Sequence, residues 1–237
     1  MATEHLRDQR RSGHPRAQRA ESVGDRSLRL VHTGASLERV NAFSDAVFAI
    51  AMTILVLELH LPDVEPADLP QALLGLVPRY LVFALSFVVV GMIWLSHHRD
   101  FGLLERHDQN LLRLNLVLLL LVASLSLPTA LLGEYGDQVI SAVIYACLIW
   151  GIGSLMSGMW VYAWARGLID AEVDAPVRRF ILIRSLIIPT AFLISIPVAV
   201  LGGATAAELT WARALPATRL LRLIRERATG APERNRP

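Results

Sequence analysis

Apolar positions in this chain fall into long runs separated by short polar stretches. The first run goes from about Val40 to Leu61 and stops before Pro62. The second covers about Pro78 to His98, the third about Leu111 to Leu132, the fourth about Val139 to Trp164 and the fifth about Phe180 to Leu201. Each has about 20 residues or more, the length an α-helix needs to cross about 30 Å of hydrocarbon. The connecting segments carry turn signals. Residues 62–68 are acidic and proline-rich, and Gly133-Glu134-Tyr135-Gly136-Asp137 reads as a turn. A short apolar stretch, Leu69 to Val77, leads to Pro78, which suits a first helical turn. Pro189 and Pro197 fall inside the fifth run, where membrane helices tolerate them as kinks. Residues 204–223 form a sixth, degenerate segment interrupted by Glu208 and Arg213.

Loop charge bears on the sixth segment. Arginines collect in the N-terminal stretch, around Arg99 and Arg106, around Arg166, Arg178 and Arg179, and from Arg219 to Arg236. The alternate loops, 62–77, 133–138 and 202–207, contain no arginine, the first two carry acids, and Arg79 lies near a boundary. The positive-inside rule then puts both termini in the cytosol and requires an even number of crossings. The expected architecture is therefore an all-α, multi-pass bundle of six membrane helices. Residues 1–36 are expected as a disordered cytosolic tail, 37–223 as the membrane domain and 224–237 as a second cytosolic tail. Residues 1–36 contain no apolar core and do not read as a secretory signal.

Composition narrows the function. Of 237 residues, 54% are hydrophobic and 19% charged, with a mean hydropathy of +0.45. A soluble domain averages about 25% charged. The excess of apolar residues argues against a soluble enzyme or a disordered chain, and the spans leave no room for a large catalytic domain. The net charge is +2, and every basic residue is arginine. This charge is spread loop by loop, which gives no support to nucleic-acid binding. The single cysteine, Cys147, excludes an internal disulfide and any Cys-Cys metal site. No nucleophile elbow, phosphate loop or zinc signature is present, and neither a metal nor a cofactor is expected. No internal repeat of the kind found in many carriers is visible.

The first run carries the most informative residue. Asp45 lies about one and a half turns inside it, and a charge at the centre of a membrane helix costs about 2.5–3.5 kcal/mol, less near an interface. Such a group needs a partner. Arg39 is about 240° away around the helix, so polar partners are expected on neighbouring helices: His97, His98, Asp108 and Asn115 flank the same side. Adjacent histidines cannot both face one metal from a regular helix, so hydrogen-bonded histidines are expected. Ile50, Ile54 and Leu57 fall at i, i+4 and i+7 and form a stripe, with Thr53 beside it and Phe43 two turns earlier. Asp45 is about 140° from Ile50. By periodicity alone the stripe is equally explained by lipid or by core packing. Gly151, Gly153, Ser154, Ser157 and Gly158 give small-x-x-x-small pairs suited to close helix packing.

Several of these residues stand in a recognisable pattern. Arg39-x-x-x-Phe43-Ser44-Asp45 followed by Ala-Val-Phe-Ala-Ile-Ala resembles the signature of the transmembrane protein 175 family. The similarity continues through Trp94-Leu95-Ser96-His97-His98, Asp108, Leu112-Arg113-Leu114-Asn115-Leu116 and Leu127-Pro128-Thr129 to Tyr135. It covers about residues 37–136 well. The bacterial members are six-span potassium channels, so the resemblance implies a homotetramer in a lipid bilayer, with potassium ions passing along the first helix of each subunit. It implies a hydrophobic constriction at Ile50, with Ile54 and Leu57 as further layers, and a contribution to selectivity from Thr53. It implies a structural polar network of Arg39, Phe43, Ser44, Asp45, His97, His98, Asp108 and Asn115. The sequence departs from the family pattern at Leu127, where a phenylalanine is usual, and in the eroded sixth span.

Two other classes compete with a channel. A proton-coupled carrier would use Asp45 with His97 or His98 as a relay, but the polar groups cluster near the cytosolic ends rather than at the midplane. A small membrane enzyme or a non-conducting protein would need convergent groups that only Asp45 and the histidines offer.

Overall fold

The computed structural model describes residues 37–60 and 63–213. The expected tails, 1–36 and 224–237, and the second half of the sixth segment, 214–223, lie outside the described residues. The chain divides into the units Met1–Ala42 and Phe43–Pro237. Of the first unit only residues 37–42 are described; the packing below belongs to the second.

The described residues are helical, with one isolated bridge between two loops. Helix α1, Leu37–Glu58, ends in a 3-10 turn, Leu55–Glu58. The acidic loop leads to a short α2, Leu69–Gly75, and then to α3, Val77–Phe101. α4, Gln109–Ala123, and α5, Ser126–Glu134, form one apolar span broken near Ser124. There the Ser124 hydroxyl bonds back to the Leu120 carbonyl at 2.8 Å, and Pro128 supplies no N–H to the preceding turn. α6 is Val139–Ala165 and α7 is Ala175–Gly202. Residues 204–213 form a last helix, α8.

Among the described residues five helices are long and apolar enough to cross a membrane, at the places the apolar runs indicate. Their ends extend into polar sequence: α7 starts at Ala175, ahead of Arg178 and Arg179. Conversely, α1 stops being helical before Leu61, since its last turn tightens and Leu59 leaves the helical region.

Packing is densest between α6 and α7, with α4 and α5 also against α6, and α3 against α5. Close approach of α6 to α7 depends on Gly153: a Cβ there would sit 2.9 Å from the Pro189 ring. Among the small residues of α6, Gly151 and Gly158 have no such neighbour.

The chain turns sharply between α7 and α8 at Gly203, whose φ of 87° suits only glycine. The described half of the degenerate segment is thus folded back and docked. Trp211 is fully buried, donates its indole N–H to Ser195 Oγ at 2.7 Å and stacks on Phe192 at 5.2 Å. Tyr145 lies 5.3 Å from the same indole, and its hydroxyl is 3.1 Å from Ser86 Oγ. Glu208 lines a crevice with Leu81, Leu85, Asp137 and Thr205.

At the opposite end, the loops after α3 and after α6 are joined. Leu104 bridges Ile169 antiparallel, with Glu105 N–H to Leu168 O at 3.0 Å and Asp170 N–H to Leu103 O at 3.0 Å.

Candidate functional site

The first helix has two contrasting faces. Ser44, Phe48, Ala51 and Leu55, spaced 4, 3 and 4 apart, are buried against the bundle, as a 3.6-residue repeat requires. On the other side Ile50, Ile54 and Leu57 are 57%, 41% and 68% exposed in the single chain, and Phe43 is exposed with them. Thr53 is exposed beside the stripe and donates its hydroxyl proton to the Ile50 carbonyl at 2.9 Å. That bond consumes the donor and leaves the oxygen lone pairs outward.

Asp45 lies between the two faces and is met by α3. The indole N–H of Trp94 donates to its Oδ1 at 2.8 Å, and His98 Nδ1 lies 3.6 Å from the same oxygen. Trp94 and His98 are one turn apart, with ring centres 5.7 Å apart. His97 points elsewhere, as adjacent helical residues must. Its Nε2 is 2.8 Å from Asn115 Oδ1, and Asn115 Nδ2 donates to Ser44 Oγ at 2.9 Å. The His97 ring stacks on Phe101 at 4.1 Å and tilts against Phe48 at 5.4 Å. The two histidines therefore serve two separate links from α3 to α1.

Asp108 is not brought to Asp45. It caps α4, accepting the Leu111 N–H at 2.8 Å, and takes the Tyr162 hydroxyl at 2.6 Å. Slight burial pushes its carboxyl up, but the Tyr162 and Leu111 hydrogen bonds and the charge of Arg166 outweigh that and hold it below the ordinary carboxylate range. Arg39 lies in the first unit and is exposed. Among the described residues no group of three His, Cys, Asp or Glu could hold a metal ion.

Three participants escape a reading of the sequence. Trp94 is the donor to Asp45; its i, i+4 spacing to His98 and the need of a buried indole N–H for an acceptor were the available signals. Tyr162 is the partner of Asp108. Arg184, well inside the fifth span, pairs with Asp100 at 3.0 Å, both side chains nearly buried. An intramembrane arginine signals a carboxylate nearby, but the 84-residue separation hides which one.

A bundle of five apolar spans, one of them exposing an aliphatic stripe and holding an acid on its inner flank, defines a multi-pass membrane protein. The model of the family described as the endosomal/lysosomal potassium channel TMEM175 matches residues 39–126. A potassium channel of Streptomyces collinus is 38% identical over 152 residues, covering 62% of this chain and 74% of the relative. A potassium channel of Chamaesiphon minutus is 41% identical over 154 residues, covering 60% and 76%. The crystal structure of a lysosomal potassium-selective channel TMEM175 homolog from Chamaesiphon minutus superposes with a TM-score of 0.69 at 31% identity, over 78% of this chain and 97% of that one. The chain is an ion-channel protein and not an enzyme. It belongs to the TMEM175 family.

Proposed function

We propose that four copies of this chain enclose a potassium-permeable pore lined by α1, with Ile50 as the constriction and Ile54 and Leu57 as outer layers. The carrying observation is the split of α1 into a buried face and an exposed aliphatic stripe, with Asp45 held off the stripe by Trp94 and His98. The potassium-channel relatives supply the ion. One chain with one such stripe cannot surround a path, so a symmetric oligomer is the conducting unit.

Physically, an aliphatic ring narrow enough to exclude water gates by dewetting. Opening has to widen the Ile50 layer until a partly hydrated cation passes. Thr53, its proton committed to the Ile50 carbonyl, presents an acceptor oxygen suited to a cation. Glu58, Asp63, Glu65 and Asp68 raise the cation concentration at the outer mouth. The polar cluster of Ser44, Asp45, His97, His98 and Asn115 holds α1 in register against α3 and α4. Asp108, bonded to Leu111 and Tyr162, holds the start of α4 against α6. Both termini face the cytosol across a bacterial plasma membrane, the domain spans 37–223, and residues 204–223 provide the sixth crossing.

The test is potassium flux from liposomes carrying a potassium gradient. Ile50→Asn wets the constriction, and flux is expected to rise severalfold with the oligomer intact. Unchanged flux would remove Ile50 as the constriction. Saturable transport at carrier rates, abolished by Asp45→Asn, would instead indicate a carrier.

A further inference from the structure

We infer that the groove between the end of α6 and the start of α7 is a binding site for an anionic glycerophospholipid. Trp164, Ala175, Pro176, Arg179, Phe180 and Ile183 line it, enclosing about 410 Å³. That falls within the roughly 300–1,000 Å³ of small-molecule sites and is far larger than a single ion needs.

The chemistry of the lining changes along its length. Trp164 is the penultimate residue of α6, and Arg179 follows four residues after α7 begins. Both therefore sit at the boundary between the polar loop 166–174 and the apolar body of the spans. Tryptophan is enriched at that depth, where the headgroups lie. Further into the span, Phe180 and Ile183 continue the wall, and Ile183 is 56% exposed. The groove thus has a cationic, headgroup-level end and an apolar end open to acyl chains.

The two neighbouring arginines differ in what they do. Arg178 is committed to the fold: its Nε donates to the Val173 carbonyl at 2.7 Å, and its own carbonyl accepts the Trp160 indole at 3.1 Å. Arg179 is exposed, and among the described residues its guanidinium has no hydrogen-bond or ion-pair partner. A guanidinium is suited to bidentate phosphate binding. The acids nearby act against an anion and set the charge limit. Asp174 precedes Ala175 and makes no side-chain cap bond, while Asp170 accepts the Glu172 N–H at 2.9 Å. One available arginine opposed by Asp174 suits a singly charged headgroup. A free anion would use the arginine alone and leave Trp164, Phe180 and Ile183 idle. A neutral helix would use the apolar wall and leave Arg179 unpaired. A phosphate ester on acyl chains uses both ends.

The test needs no conduction, so it stands or falls separately from the pore assignment. The full chain is purified with phosphatidylglycerol or phosphatidylcholine, and retained lipid is counted by native mass spectrometry. Phosphatidylglycerol is expected to be retained in preference. Arg179→Gln is expected to weaken its retention about fivefold, the factor one basic residue near an anionic surface contributes. Arg179→Lys should keep most of it, Asp174→Asn should strengthen it, and Arg113→Gln, on α4, should change nothing. Trp164→Ala should lower retention of both lipids. Equal retention by wild type and Arg179→Gln overturns the site. So does equal binding of the two lipids, or displacement by millimolar inorganic phosphate, which would mark a free-anion site. Loss of oligomer in Arg179→Gln with retention also lost in the folded Arg179→Lys variant overturns it as well.

Discussion

α1 and the α6–α7 pair solve opposite problems with similar residues. α1 spends half its surface on exposure: its aliphatic stripe is open in the single chain, and its hold on the bundle joins one buried face, Phe48, Ala51 and Leu55, to polar links through Ser44 and Asp45 at one end. α6 and α7 spend theirs on mutual burial, with Gly153 against Pro189, Tyr145 and Phe192 around Trp211, and the Asp100–Arg184 pair tying α7 to α3. A lipid environment gives apolar helices no hydrophobic reason to associate, so packing and hydrogen bonds must do it. The scaffold uses close packing along the middle and far end of the α6–α7 pair. The proposed pore helix uses a few directional bonds and keeps its other face unencumbered.

Removing one partner of the Asp100–Arg184 pair should do the most damage. Arg184→Met leaves a nearly buried carboxylate without its hydrogen-bonded ion-pair partner, and a loss of about 3–5 kcal/mol is expected. Thermal unfolding in detergent measures it. The double variant Asp100→Asn/Arg184→Met should recover most of that loss; equal loss in both would mean the pair matters only through packing. Next, Trp94→Phe removes a charge-assisted bond to Asp45 and should cost about 1.5–3 kcal/mol. If α1 is held as described, this variant also alters flux, whereas Arg184→Met lowers oligomer yield before it touches flux. A reversed pattern would break the contrast between the two regions.

Gly153→Ala drives a methyl group to 2.9 Å from Pro189, and overpacking of this kind costs about 1–3 kcal/mol. Gly151→Ala, with open space around it, should be silent. If the two behave alike in the same melting experiment, close α6–α7 approach is not what Gly153 provides. The smallest effect concerns Asp108. Its folded-state carboxyl is held below the ordinary range, so its contribution is present above the unfolded pKa of about 3.9 and fades as pH falls through the lower folded value. Asp108→Asn should flatten that acid limb of the stability profile by removing this small contribution at neutral pH, with little change at acid pH.

Spans were readable from the sequence because a helix in hydrocarbon satisfies its backbone internally and advertises itself by length. Their ends were less so. α7 begins among polar residues, which hydropathy discounts, and α1 ends early because its last turn tightens. Asp45 was conspicuous as a charge among apolar neighbours, yet its donor is Trp94, whose single N–H is invisible to a polar–apolar pattern. Arg184 was hidden for a different reason: its partner lies on a helix three loops away, and only the tertiary fold pairs them. The family matched through residues 39–126, a stretch that includes Arg39, the α1 stripe and the α3–α4 partners. α6, α7 and α8 lie beyond it, and their glycine–proline contact and aromatic stack had to be seen in three dimensions.

The short bridge between Leu104 and Ile169 has a kinematic consequence. Its backbone bonds rivet the ends of α3 and α6 together, so these helices cannot slide past each other without breaking the ladder. α3 carries Trp94, His97 and His98, which grip α1, and α6 is the helix on which α7 is laid. The riveted pair is therefore the fixed frame of the subunit. Any displacement of α1 against this frame strains its own side-chain bonds to α3 and α4, and a distance measured between positions 104 and 169 should stay constant while the stripe moves.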